Sequence, residues 1–142
     1  MRGLVIGIGH DEQADDAAGP LIARLVAARL PAGWRAVEHH GDLAQLVDLC
    51  DGMDEVILAD ALVSGAPPGT LHHVRLDGSC RPRLAAAGST HGIGLVEAID
   101  QGRAVGRITG RVTLVGIEAQ RTEPGAPMSM MVQINLPLAA AL

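Results

Sequence analysis

The sequence predicts an α/β fold: a single domain over residues 1–142 with a twisted, mainly parallel sheet and helices on both faces. Three observations carry this. Leu4–Ile8 is a short unbroken apolar run, as expected of a strand covered on both sides, and Val56–Ala59 and Val112–Val115 are further β-type runs. The stretches between several of them repeat apolar residues at helical spacing. Strand and helix patterns alternate along most of the chain, which is the order of a layered α/β domain.

Each element has its own local reason. Leu4–Ile8 is the first strand. Ala17 to Leu30 is expected to be helical, with Leu21, Ile22, Leu25, Val26 and Leu30 as its inward stripe and Arg24 and Arg29 facing out. Asp15 or Asp16 would cap it, and Pro20 is tolerable in its first turn. Pro31-Ala32-Gly33 ends it before a second strand, Trp34–Glu38. Asp42 has the character of an N-cap for a helix over Leu43–Cys50, where Leu43, Leu46, Val47 and Cys50 share a face. A third strand runs from Glu55 to Ala59 and gives way to Asp60. Ser64-Gly65-Ala66-Pro67-Pro68-Gly69 is a turn cluster, followed by a β-like segment, Thr70–Arg75. A helix over Ile93 to Gln101 turns Ile93, Val96 and Ile99 inward. Arg111–Gly116 is a further strand, and the chain after Pro127 is expected to close with a short helix.

Composition removes several classes of function. The net charge is −5, and all 11 strong bases are Arg, with no basic stripe of the kind a nucleic-acid binder needs. Trp34 is the sole aromatic residue, so there are no platforms on which bases stack. Cys50 and Cys80 are far apart and outside any CxxC, which points to reduced thiols rather than a zinc cluster or a disulfide framework. No apolar run approaches the roughly 18 residues of a membrane span, and no secretory leader is visible. A cytoplasmic protein is expected.

The first strand ends in an unusual way. Gly7-Ile8-Gly9 resembles the opening of a phosphate cradle, yet Asp11, Glu12, Asp15 and Asp16 follow at once. Four carboxylates repel a phosphate and attract a cation. Glu12 also occupies the place where a dinucleotide fingerprint needs its third Gly. Ligands of open parallel sheets bind beyond the carboxyl ends of strands, near a switch in strand order. The first strand ends near Asp15 and Asp16, the third at Asp60, and His91 precedes a helix. Two carboxylates and an imidazole at one sheet edge make a cation site. The pairs His39-His40 and His72-His73 would point to opposite faces of a strand, so they are expected at the surface.

Gly7-Ile8-Gly9-His10, Asp15-Asp16-Ala17-Ala18-Gly19 and Val56-Ile57-Leu58-Ala59-Asp60-Ala61 resemble blocks of the hydrogenase maturation endopeptidases. So do Gly65-Ala66-Pro67-Pro68-Gly69-Thr70, Ser89-Thr90-His91-Gly92-Ile93-Gly94-Leu95 and Val115-Gly116-Ile117-Glu118. The blocks fall in family order over nearly the whole chain and thin out after Glu118. The resemblance implies an aspartic-type or nickel-dependent endopeptidase. It would remove the C-terminal extension of a nickel–iron hydrogenase large-subunit precursor after nickel insertion. It also implies that Asp16, Asp60 and His91 are the catalytic, metal-binding residues. Nickel would be supplied by the precursor, with zinc or another divalent ion able to replace it in vitro. The expected partner is that precursor; no nucleic acid or membrane is expected, and the chain would be a monomer.

Two positions depart from the family pattern. His10 stands where Asn is usual, which makes it a candidate fourth ligand, and Asp15-Asp16 stands where Asp-Glu is usual. Asp for Glu keeps a hard oxygen ligand but shortens its reach by one methylene. The competing readings are a non-proteolytic metal-sensing assembly factor and a receiver-like or Rossmann-like binding domain. The receiver-like reading lacks its Lys, because the chain has none. The chain also contains no HExxH helix and no Gly-x-Ser-x-Gly elbow.

Overall fold

The computed structural model describes residues 2–9, 18–40, 42–62, 66–76 and 92–118, with the backbone alone for 92–94. Five strands, β1 (Gly3–Ile8), β2 (Trp34–His39), β3 (Glu55–Leu62), β4 (Leu71–Arg75) and β5 (Arg111–Glu118), form one sheet in the order β2-β1-β3-β5-β4. Three helices are described: α1 (Ala18–Ala27), α2 (Leu43–Cys50) and α3 (Gly92–Ala104). All neighbouring strands pair in parallel except β4, which runs antiparallel to β5 at the edge. The expected α/β architecture with a mainly parallel sheet is therefore what the chain adopts.

Alternation along the strands separates two faces. Leu4, Ile6, Ile8, Val56, Leu58, Leu62, Val74, Val112 and Leu114 pack in one cluster with Leu46 and Cys50 of α2 and Leu95, Val96 and Ile99 of α3. Ala59 and Ile117 point the other way and meet Ala18 and Ile22 of α1. With α1 on one face and α2 and α3 on the other, the central strands are sealed on both sides, which is why they are so uniformly apolar. Arg103, near the end of α3, fastens that helix to the sheet. Its Nη1 donates to Gly110 O at 3.0 Å and its Nη2 to Leu76 O at 3.1 Å.

Several local expectations hold. Asp42 caps α2, its Oδ1 accepting from Ala44 N at 3.0 Å and Gln45 N at 3.3 Å. At the turn before β4, Thr70 N and Thr70 Oγ1 both donate to Pro67 O, and Gly69 takes a φ of 88° that suits glycine. Others need correction. Leu25 does not belong to the inward stripe of α1: it is 46% exposed, whereas Ala18, Gly19, Ile22 and Ala23 are buried. The helix sits so close to the sheet that small residues make the contact. It also stops at Ala27, short of Leu30, with Arg29 N donating to Val26 O as the chain turns. Strands β3 and β5 each run two or three residues further than their apolar runs suggest, because Asp60↔Gly116, Ala61↔Ile117 and Leu62↔Glu118 continue the pairing. The helix expected after Pro127 lies outside the described residues.

Candidate active site

The strand order reverses direction at β1 and β3, since the chain leaves β1 across one face through α1 and reaches β3 across the other through α2. A crevice at the carboxyl ends of these two strands is where open sheets bind ligands. Asp60 stands there on β3. It is not the residue after the strand but its sixth member, with 0% exposure, on the face that carries Leu58 and Leu62. Its Oδ1 accepts a hydrogen bond from Ala61 N at 2.8 Å. Burying a carboxylate among apolar side chains is costly unless it is bonded or set against a cation.

Two glycines bring α1 to this edge. A Cβ on Gly7 would stand 2.8 Å from Ala23 Cβ, and one on Gly19 would stand 2.5 Å from Ala59 O. The first turn of α1 thus lies directly on the ends of β1 and β3. Beyond β1, Gly9 N donates to His39 O at 3.1 Å, and Gly9 takes a φ of 144°. His40 Nδ1–H donates to Gly9 O at 2.8 Å, so the end of β2 holds the exit of β1.

Of the residues expected at the site, Asp60 alone is described. Asp15, Asp16, His10 and His91 lie outside the described residues, and so does Cys80. The described structure places their neighbours: Ile8 ends β1 and Gly9 follows it, Ala18 opens α1, and Gly92 opens α3. Among the described residues no three His, Cys, Asp or Glu side chains gather to hold a metal ion.

The histidine pairs are not simply surface residues. His39 is 7% exposed, and its Nε2–H donates to Asp42 O at 2.7 Å, while His40 and His73 are exposed. His72 is partly buried and lies 3.0 Å from Glu118, which is 1% exposed. Sequence reasoning passed over Glu118 as a site-edge acid, although it ends an apolar strand as Asp60 was expected to do. The thiol of Cys50 is buried, and desolvation pushes its pKa up to about 11, with the Arg103 guanidinium pulling weakly the other way. It is a structural thiol rather than a nucleophile.

A sheet with this strand order and a buried acid at its switch point defines an α/β protein with a candidate site at one sheet edge. The family model for hydrogenase maturation protease (HycI) matches residues 35–142. The hydrogenase 2 maturation protease of Escherichia coli (strain K12) is 31% identical over 134 residues, covering 87% of this chain and 77% of that protein. This chain belongs to the hydrogenase maturation protease family. Among solved structures it is similar to the hydrogenase-maturating endopeptidase HybD from E. coli, at a TM-score of 0.85 and 27% identity, covering 99% of this chain and 88% of that one. The NiFe hydrogenase maturation protease HybD from Thermococcus kodakarensis shares the fold at a TM-score of 0.83 and 24% identity, with 99% and 95% coverage. Membership of the family makes the chain a peptidase. Among the described residues no helix is long and apolar enough to cross a membrane.

Proposed function

We propose that this chain is the endopeptidase that removes the C-terminal extension of a nickel–iron hydrogenase large-subunit precursor, acting in the cytoplasm once nickel is in place. The observation that carries the reading is Asp60, an acid with 0% exposure inside an otherwise apolar strand at the strand-order switch. Strands at such positions are apolar for packing reasons, so a buried acid beside the strand-order switch supports a chemical role. The E. coli relatives named as hydrogenase maturation enzymes point to the same substrate class.

In this reading Asp16, Asp60 and His91 meet the nickel that the precursor brings, with His10 as a candidate fourth contact. Two carboxylates and an imidazole make a mixed oxygen and nitrogen donor set suited to a divalent transition metal. Asp60 fits that set: its buried carboxylate is held by the Ala61 amide at 2.8 Å near the carboxyl end of β3. A bound divalent ion supplies Lewis acidity toward a carbonyl oxygen. The chain's own part is to present an oriented, buried carboxylate, and in this reading Asp60 takes a proton from water as a general base.

The test is cleavage of purified nickel-loaded precursor, read by mass spectrometry of its C-terminus. Asn at position 60 still offers an oxygen to the Ala61 amide, so Asp60→Asn should fold normally. It should lose processing by about 10²-fold or more, the range for a lost acid–base group. Cleavage by Asp60→Asn at the wild-type rate would overturn the assignment.

A further inference from the structure

The carboxyl edge holds a second acid that the proposed reaction does not use. Glu118, the last residue of β5, is 1% exposed, and its Oε1 accepts from His72 Nε2–H on β4 at 3.0 Å. With the carboxylate oxygen accepting, Nε2 carries the proton of that bond. Register relates this pair to Asp60. Asp60, Gly116 and His72 form one row across β3, β5 and β4, and Leu62 stands opposite Glu118 one step further on. Alternation puts all five on the face covered by α2 and α3. A strand spacing of about 4.8 Å and a two-residue rise of about 6.6 Å set the Cα atoms of Asp60 and Glu118 about 8 Å apart.

The surface between the two acids has no polar side chain from β5. Gly116 has no Cβ, and Leu62 leans over it, its Cγ 2.8 Å from where a Cβ would stand. Two carboxylates buried at this Cα separation influence one another more than they would in water. His72 lies on the side of β5 away from β3 and draws the carboxylate toward β4.

We propose that His72 is a positioning residue: it holds the Glu118 carboxylate on the β4 side of β5, away from Asp60, so that Asp60 keeps the orientation shared with the Ala61 amide. This rests on the proposed role of Asp60. A pair that merely braced an edge strand could be replaced by apolar residues without functional cost, since buried ion pairs seldom stabilise more than their apolar counterparts. The positioning role makes a different demand. Loss of His72 alone is harmful because Glu118 remains, and removal of the Glu118 charge as well repairs the damage.

The experiment compares wild type, His72→Met, and His72→Met combined with Glu118→Gln. Two readouts are taken: kcat and KM for precursor cleavage, and the NMR shift of the Ala61 amide, which reports the Asp60 carboxylate directly. His72→Met should lower kcat by about 10-fold or more, from the strength of a like-charge contact at this range. KM should stay within about twofold, because the defect lies in an oriented group rather than in binding. The Ala61 resonance should move. The double variant should return kcat to within about threefold of wild type and restore the resonance. A double variant as impaired as the single one overturns the proposal, as does a His72→Met protein with unchanged kcat and Ala61 shift. If His72→Met does not fold, a folded double variant with the native Ala61 shift upholds the proposal, and a double variant that also fails to fold overturns it. If wild type cleaves no precursor, the proposed function fails, and the Ala61 amide alone decides the role of His72.

Discussion

Gly19→Ala is the most direct test of how the fold builds the site. A methyl group there would stand 2.5 Å from Ala59 O and 2.8 Å from Ile8 N, and closer still to Ile8 O. An ordinary contact of this kind is about 3.4 Å or more, so α1 must retreat by about 1 Å from two strands at once. Backbone atoms of a central sheet cannot rotate away, which places the cost near the top of the roughly 1–3 kcal/mol range for overpacking. The helix itself gains about 1 kcal/mol from Ala over Gly. The net loss is about 2 kcal/mol. For a 142-residue chain unfolding entropy is about 0.3 kcal/mol/K, so the melting temperature should fall by about 7 °C. Thermal unfolding followed by circular dichroism measures this, and precursor cleavage should weaken in parallel because the helix that opens at the site edge is displaced. A melting temperature that is unchanged or raised would mean that helix propensity outweighs the contact, and the close approach of α1 would lose its role in shaping the site.

Two further predictions follow from the site and the core. Asp16→Asn should abolish processing and leave the fold intact, whereas Asp15→Asn should mainly cost cap stability, roughly 0.5–2 kcal/mol by chemical denaturation; the reverse order in a processing assay would show that the two acids had been assigned the wrong way round. The raised pKa of Cys50 makes stability depend on alkaline pH. Its native value of about 11 exceeds the ordinary 9.0, so the contribution is full below pH 9 and is lost as pH rises through 11. The loss amounts to roughly 2–3 kcal/mol, and denaturant titrations across that window should show it in the wild type and not in Cys50→Ala.

Much of the fold was legible because its causes are local. Doubly covered strands must be apolar, so β1, β3 and β5 announced themselves, and Asp42 marked the start of α2 because a carboxylate satisfies amides that nothing else in the helix can reach. Asp60 was legible for the complementary reason: a charge interrupting an apolar strand is conspicuous, and its place beside the switch point follows from topology. The inward face of α1 was misread, because hydrophobicity alone favours Leu25. The contact is instead set by how near two backbones approach at Gly7 and Gly19, a property of the packed helix and sheet.

The sequence by itself determined the element order, the mainly parallel sheet and an acid at its carboxyl edge, because each depends on residues within a few positions of one another. The tertiary structure alone decided the pairing of His72 with Glu118. The two are 46 residues apart, and they meet only because β4 returns antiparallel along β5. It likewise decided that Arg103 would fasten α3 to Leu76 and Gly110, and that Asp60 would lie inside β3 rather than beyond it. Register is a collective outcome of strand pairing over the whole sheet, and a one-residue slip would turn Asp60, His72 and Glu118 to the opposite face.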